Sequence, residues 1–165
     1  TSTPPARALM TVVFLDIVGS TEHLARMGDE RWRSVLEQLD QTVNRRLAAF
    51  NGKQVKHTGD GYLLSFRGPT SALECARTIR SDVAKLGLQS RIGVHTGECE
   101  VRGQDLSGMA VHVAARIMGE AVPDDILTSQ TTKDLTLGAD LNFASLGPRA
   151  LKGVPGEWSL FALSA

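Results

Sequence analysis

Two aspartates stand where a carboxylate can meet both a cation and a phosphate. Asp16 ends the run Thr11-Val12-Val13-Phe14-Leu15 and is followed by Ile17-Val18-Gly19-Ser20-Thr21. A short apolar run rich in Val and Phe reads as a buried strand, so Asp16 falls at the strand's carboxyl end. The turn after it offers backbone N–H groups at a helix start, which suits an anion such as a phosphate. Asp60 sits in Gly59-Asp60-Gly61, between two β-like runs, at the tip of a predicted hairpin. Taken singly, Asp16 reads as a helix cap and Asp60 as a turn former. Taken together, with a glycine turn after each, they read as a carboxylate pair. Such a pair can hold one or two Mg²⁺ or Mn²⁺ ions against a triphosphate.

The elements that must position them follow from periodicity. The first strand is expected over about 9–15, after a flexible lead-in of residues 1–8 that contains Pro4 and Pro5. A short helix over Ser20–Met27 is stopped near Gly28, and Asp29 is placed to cap a second helix. That helix repeats Trp32, Val35, Leu36, Leu39, Val43 and Leu47 at helical spacing. Lys53–Thr58 and Tyr62–Phe66 form the hairpin arms. Pro69 opens a third helix, in which Ser71-Ala72-Leu73-Glu74 has capping-box spacing. Arg91–Gly97 is a strong strand signal, and a helix is expected from about Leu106 to Gly119. Ile126–Thr128 is a short strand, Thr131–Leu135 a helical turn or two, and Leu141–Ala144 with Trp158–Leu163 a closing antiparallel pair. The order contains β-α-β-β-α-β, which points to an α+β fold. Its core is a ferredoxin-like βαββαβ unit, a palm-like antiparallel sheet with helices, extended by β structure at the carboxyl end. In such a sheet the first strand and the hairpin can be neighbours, bringing Asp16 and Asp60 together.

The chain's 165 residues suit one domain, read as residues 9–165. Lys plus Arg equals Asp plus Glu at 18 each, so no overall field favours nucleic acid or an anionic membrane. No apolar run approaches membrane-spanning length, and the amino terminus does not resemble a signal peptide. The chain opens on Thr1, as expected of a piece of a longer protein. Cys75 and Cys99 lack any metal-ligand pattern and read as small buried side chains in a reducing cytosol, so a cytoplasmic location is expected. His23, His57 and His95 show no zinc-ligand spacing, and Trp32 and Trp158 read as core or interface aromatics.

The segments Phe14–Thr21 and Thr58-Gly59-Asp60-Gly61, with the stretch Gly108–Arg116, resemble class III nucleotidyl cyclase catalytic domains. The likeness is greatest to bacterial adenylate cyclases, including actinobacterial ones, and runs from about Thr11 to Leu163. It implies an adenylate cyclase that converts ATP to 3′,5′-cyclic AMP and pyrophosphate. Asp16 and Asp60 would bind two divalent cations, Mg²⁺ or Mn²⁺, with the Ile17 carbonyl helping at one. The backbone of Val18, Gly19, Ser20 and Thr21 would cover the β- and γ-phosphates.

The resemblance also assigns the base-reading pair. Lys56 lies four residues before Asp60, and Asp105 three before Gly108. Adenine offers an amino donor and a ring acceptor on one edge, which a lysine–aspartate pair matches; guanine would prefer a carboxylate facing its N1 and N2 donors. ATP is therefore expected over GTP. The diguanylate cyclase alternative lacks its Gly-Gly-Asp-Glu-Phe hairpin here. Asp105, His112 and Arg116 are expected along one face of the last long helix, with Val113 and Ile117 toward the core. By resemblance, Arg116 stabilises charge on the α-phosphate, an electrostatic role that suits a guanidinium. Lys152 reaches the triphosphate from a flexible loop. His112 stands where the family usually has an asparagine that donates to the ribose, and an imidazole can replace it in the donating tautomer. In the family the carboxylates come from one protomer and the base-reading pair, helix arginine and loop lysine from the other. A homodimer with two shared sites is expected. The rival of another class is a non-catalytic nucleotide-binding or dimerisation module.

Overall fold

The computed structural model describes residue 4 and residues 6–165; residues 1–3 and 5 of the expected lead-in lie outside the described residues. The elements in chain order are β1 (Ala6–Ile17), α1 (Ser20–Met27), α2 (Asp29–Ala49), β2 (Lys53–Thr58), β3 (Gly61–Phe66), α3 (Pro69–Lys85) and β4 (Ser90–Arg102). After them come β5 (Asp105–Ser107), α4 (Met109–Gly119), β6 (Ile126–Ser129), α5 (Gln130–Leu135), β7 (Phe143–Ala150) and β8 (Glu157–Leu163). The strands form one eight-stranded sheet in the order β2-β3-β1-β4-β6-β8-β7, with β5 paired to β4. The first four neighbours are antiparallel throughout, the ferredoxin-like arrangement that the element order implies. β6 then joins β4 in parallel through the α4 crossover, and β8 and β7 extend the sheet antiparallel.

Alternation along β1 decides which helix covers which face. Val13, Leu15 and Ile17 pack with α2 and α3 residues such as Leu39, Val43, Leu73 and Ile79. Val12, with Met10 and Phe14, packs on the other side with Ala110 and Ala114 of α4. Gly93 lets α4 come this close: a Cβ there would stand 2.3 Å from the Met118 nitrogen and 2.7 Å from the Ala114 carbonyl oxygen. A third cluster joins Val113 and Ile117 of α4 to Leu151 and Val154, docking the turn between β7 and β8 onto that helix.

Several boundaries differ from expectation. β1 begins at Ala6, so residues 6–8 leave the lead-in and pair with β4 in a long ribbon, Ala6 opposite Val101. Helix α2 is capped by the Gly28 backbone with no side-chain cap, and Asp29 is already inside it. Helix α3 likewise starts from Gly68 with Pro69 in its first turn and no side-chain cap, so the Ser71 capping box does not form. α4 starts at Met109 because Gly108, at φ 112°, breaks the chain direction after β5. β7 runs on through Pro148; it is an edge strand, where a missing N–H does no harm, and its register shifts between Ser145 and Gly147.

Beneath α4, His95 of β4 is buried, with Nδ1 2.6 Å from the Ser129 hydroxyl and Trp158 edge-on at 5.3 Å. Ser129, Thr132, Thr96 and Thr11 continue a chain of buried hydroxyl contacts. Burial pushes the imidazole down to about 4. A depressed histidine binds fewer protons folded than unfolded, so stability falls as pH drops from its ordinary value of 6.5 toward 4. The loss expected is about 3 kcal/mol. Urea unfolding from pH 7 to pH 4 should show this slope in the intact protein and lose most of it in His95→Gln; equal slopes would refute the assignment.

Candidate active site

β1 lies between β3 and β4, and its register puts Asp16 opposite Gly61 on one side and Arg91 on the other. The β2–β3 hairpin closes with Thr58 paired to Gly61, leaving a two-residue loop of Gly59 and Asp60. Gly59 has φ +55°, a conformation that favours glycine in so tight a loop. Asp60 therefore arrives beside Asp16. Burial raises the Asp16 carboxyl first, and the negative charge of Asp60 raises it further. The Ile17 N–H and the Arg91 guanidinium act in the opposite sense. The Ser20 hydroxyl donates to the Asp60 carboxylate and so ties the hairpin tip to the first turn of α1.

That first turn has the properties expected of an anion cradle. Gly19 takes a left-handed conformation, φ 70°, and α1 has no side-chain cap. The Glu22 carboxylate folds back over the turn, its Oε2 3.2 Å from where a Gly19 Cβ would stand. One expected donor is already committed: the Val18 amide donates to the Gln89 carbonyl at 2.8 Å. An open concavity of about 610 Å³ is lined by Ile17–His23, Asp60, Gln89 and Arg91. Arg91 is a member that sequence reasoning missed. Its Nε is buried without a hydrogen-bond partner, beside the cradle and opposite Asp16. The only sequence signal was a charge opening an otherwise apolar strand, and its partner became visible only through the β1–β4 register.

On the α4-facing side of the sheet, a second cleft of about 400 Å³ contains Asp16, Lys56 and Asp60 among Phe14, Leu106, Val111 and Met118. Lys56 Nζ lies 3.2 Å from Asp105 Oδ1, so two residues far apart in sequence form an ion pair. Asp105 sits in β5 and not on the helix, because Gly108 intervenes; the expected single face of Asp105, His112 and Arg116 does not exist. His112 and Arg116 are on α4, with Val113 and Ile117 buried toward the core as expected. His112 reaches the β7–β8 turn, its Nε2 3.2 Å from where a Gly153 Cβ would stand. Lys152 in that turn and Arg116 are both exposed, and neither makes an ion pair among the described residues. Glu120 pairs with Arg149 at 3.5 Å instead.

The structure thus gathers one group around Asp16, Asp60, Arg91 and the α1 turn, with the Lys56–Asp105 pair on the same side of the sheet as the two aspartates. His112 and Lys152 gather on α4 and its docked turn, and neither they nor Arg116 line either concavity at the aspartates. Among the described residues no three of His, Cys, Asp and Glu form a metal cluster. The oxygen donors are two carboxylates, a set suited to hard divalent cations that take their remaining ligands from main chain, water and phosphate. The mutual repulsion recorded in Asp16 is what such a cation would relieve.

Residues 5–165 match the family model of the adenylate and guanylate cyclase catalytic domain. An uncharacterised protein of Mycobacterium tuberculosis is 31% identical over 161 residues, covering 93% of this chain and 55% of that protein. A putative adenylate cyclase 3 of Rhizobium meliloti is 30% identical over 166 residues, covering 90% of this chain and 27% of that protein. The chain thus spans about half the length of the first relative and about a quarter of the second. Among solved structures, the adenylyl cyclase CyaB of P. aeruginosa superposes with a TM-score of 0.90 at 20% identity, over 99% of this chain and 97% of that one. It shares the fold.

The two carboxylates can be tested without any assay of turnover. In Asp60→Asn the Asp16 carboxyl should titrate at lower pH than in the intact protein, because the second cause of its upward shift is gone. Carboxyl-detected NMR titration would read this, and an unmoved Asp16 would separate the two side chains.

Proposed function

The chain belongs to the family of adenylate and guanylate cyclase catalytic domains, and from that premise we propose that it is an adenylate cyclase. It converts ATP to 3′,5′-cyclic AMP and pyrophosphate at sites shared between two copies of the chain. The observation that carries the choice of base is the Lys56–Asp105 pair, 3.2 Å apart. An ammonium donates to the adenine ring acceptor and a carboxylate accepts from the adenine amino group; guanine, with those roles reversed, leaves both unmatched.

Two divalent cations, Mg²⁺ or Mn²⁺, held by Asp16, Asp60 and the Ile17 carbonyl, would acidify the ribose 3′-hydroxyl and offset the triphosphate charge. The chain's own groups do the rest. Amides of Gly19, Ser20 and Thr21 cradle the triphosphate at the start of α1, and Arg91, whose buried Nε lacks a partner, faces the same anion. Glu22 must swing off the turn to admit it. Arg116, free of any ion pair among the described residues, meets the charge that builds on the α-phosphate as the 3′-oxygen bonds to phosphorus and pyrophosphate departs. His112 donates to the ribose, and Lys152 holds the phosphates from its turn.

A shared site explains why His112, Arg116 and Lys152 stand apart from the aspartates. One copy presents the aspartates and phosphate cradle; its partner presents Lys56, Asp105, His112, Arg116 and Lys152. The domain is read as working in the cytosol, in keeping with two buried, unpaired cysteines. No helix among the described residues is long and apolar enough to cross a membrane.

The test is complementation with Mn²⁺ and ATP. Asp16→Asn and Arg116→Ala should each lose about 100-fold or more in turnover. Mixed in equal amounts they should recover about a quarter of intact activity, since a random mixture of two-fold dimers contains that fraction of unimpaired sites. Lack of recovery would refute the shared site. GTP preferred over ATP would refute the base assignment, and an intact dimer that makes no cyclic nucleotide would leave the binding module.

A further inference from the structure

The β2–β3 hairpin carries the half-buried Asp60 at its tip, yet Gly59 beside it is exposed and has the widest conformational freedom of any residue type. On the face away from the cleft, three side chains restrain it. His57 Nε2 lies 2.8 Å from the Gly59 carbonyl oxygen, within its own hairpin, and the N–H donates. The imidazole stacks on Tyr62, centroids 4.2 Å apart and planes within 6°. Its Nδ1 lies 3.6 Å from Asp40 Oδ1, an ion pair when the ring carries both protons, and the Tyr62 hydroxyl donates to the same oxygen at 3.4 Å. Asp40 belongs to α2, which anchors in the core through Leu39, Val43 and Leu47.

We propose that Asp40, His57 and Tyr62 form a brace that sets the Gly59–Asp60 peptide, making His57 a positioning residue for the cation site. The reading rests on the proposed cyclase site. A peptide is planar, so fixing the Gly59 carbonyl also fixes the nitrogen of Asp60 and the direction in which its carboxylate leaves the chain. Asp60 must meet Asp16 at a separation that suits cations, and a small rotation of that peptide would move it away. The Ser20 hydroxyl holds the carboxylate end; the brace holds the backbone end. His57 itself touches neither nucleotide nor cation, since alternation points it toward α2 while its neighbour Lys56 points into the cleft. A ring that only filled space against Tyr62 would be replaceable by another ring. A ring that positions needs its donor.

That difference defines the experiment. His57→Phe keeps the stack on Tyr62 and removes the donor; His57→Gln removes the ring and keeps an amide donor that reaches Gly59. Mn²⁺ binding is followed by electron paramagnetic resonance with a non-cyclisable ATP analogue, alongside kcat and KM for ATP, and thermal unfolding confirms folding of each variant. In the phenylalanine variant the Mn²⁺ concentration for half-saturation should rise roughly tenfold, the size seen when groups orienting a metal ligand are lost. Its kcat should fall in step while KM for ATP holds, and the glutamine variant should stay within about twofold of the intact protein. Asp40→Ala, on a helix surface, should weaken Mn²⁺ binding in the same direction if the phenylalanine variant does not fold. Equal Mn²⁺ binding in the intact protein and the phenylalanine and alanine variants would overturn the brace. Phenylalanine and glutamine variants impaired alike would overturn the donor's role. An intact protein that binds Mn²⁺ but makes no cyclic nucleotide would defeat the cyclase reading while the Mn²⁺ series still decides the brace.

Discussion

Everything at the site depends on two like charges being held together. Asp16 has no freedom to retreat from Asp60, because β1 is paired on both sides and its register fixes Gly61 and Arg91 as its neighbours. The cost appears in the upward shift of the Asp16 carboxyl, to which burial and Asp60 both contribute. Such an arrangement is disfavoured for folding alone; the core would lose nothing from a neutral residue at either position. It persists as a half-neutralised donor set, with Arg91 as the only guanidinium lining the α1 concavity and an uncapped helix start beside it. In the proposed reaction, cations and a polyanion would complete it together, since either alone would leave an excess of one sign.

The second group is coupled in a different way. Leu151 and Val154 pack on Val113 and Ile117, so the turn bearing Lys152 and the helix bearing His112 and Arg116 form one packed unit. His112 lies against Gly153, where a Cβ would approach its Nε2 to 3.2 Å. The histidine thus fits here in place of asparagine because the residue facing it is glycine. A longer side chain at 112 is accommodated by the absence of one at 153. In the proposed dimer this unit faces the partner's aspartates, and Arg116 is free of Glu120, which pairs with Arg149.

Element types were legible from the sequence because periods of 2 and 3.6 are local properties, and the βαββαβ order followed from them. The errors fall where a tertiary contact outweighs the local pattern. Ala6, Arg7 and Ala8 carry no strand signal and become strand because β4 is long enough to pair with them. β5 is three residues long and leaves no period to detect; Leu106 joined the helical pattern only because the break at Gly108 is conformational. Asp16 and Asp60 were visible because each is marked by its own turn. Arg91 was not, since its meaning lies in a register between strands 75 residues apart. The nearness of Lys56 to Asp105 came from resemblance alone, and no spacing rule would have found it.

The phase of β2 shows how narrowly these roles are set. Lys53 stands opposite Ser65 and Gln54 opposite Leu64, but Lys56 stands opposite Leu63, so one residue, Val55, is absorbed by an irregularity in the ladder. A regular ladder would place Lys56 opposite Tyr62 and turn it toward α2, and His57 would take its place in the cleft. With the extra residue, Lys56 shares the face of Phe14 and Leu63, and His57 shares that of Tyr62. The same shift brings Thr58 opposite Gly61 and leaves two residues for the loop, which is what puts Asp60 at the tip. The proposed base reading, the proposed brace on Gly59 and the proposed cation carboxylate thus depend on Val55 staying out of the ladder. Drawing Val55 into the ladder opposite Leu63 would exchange the faces of Lys56 and His57 while leaving both side chains present.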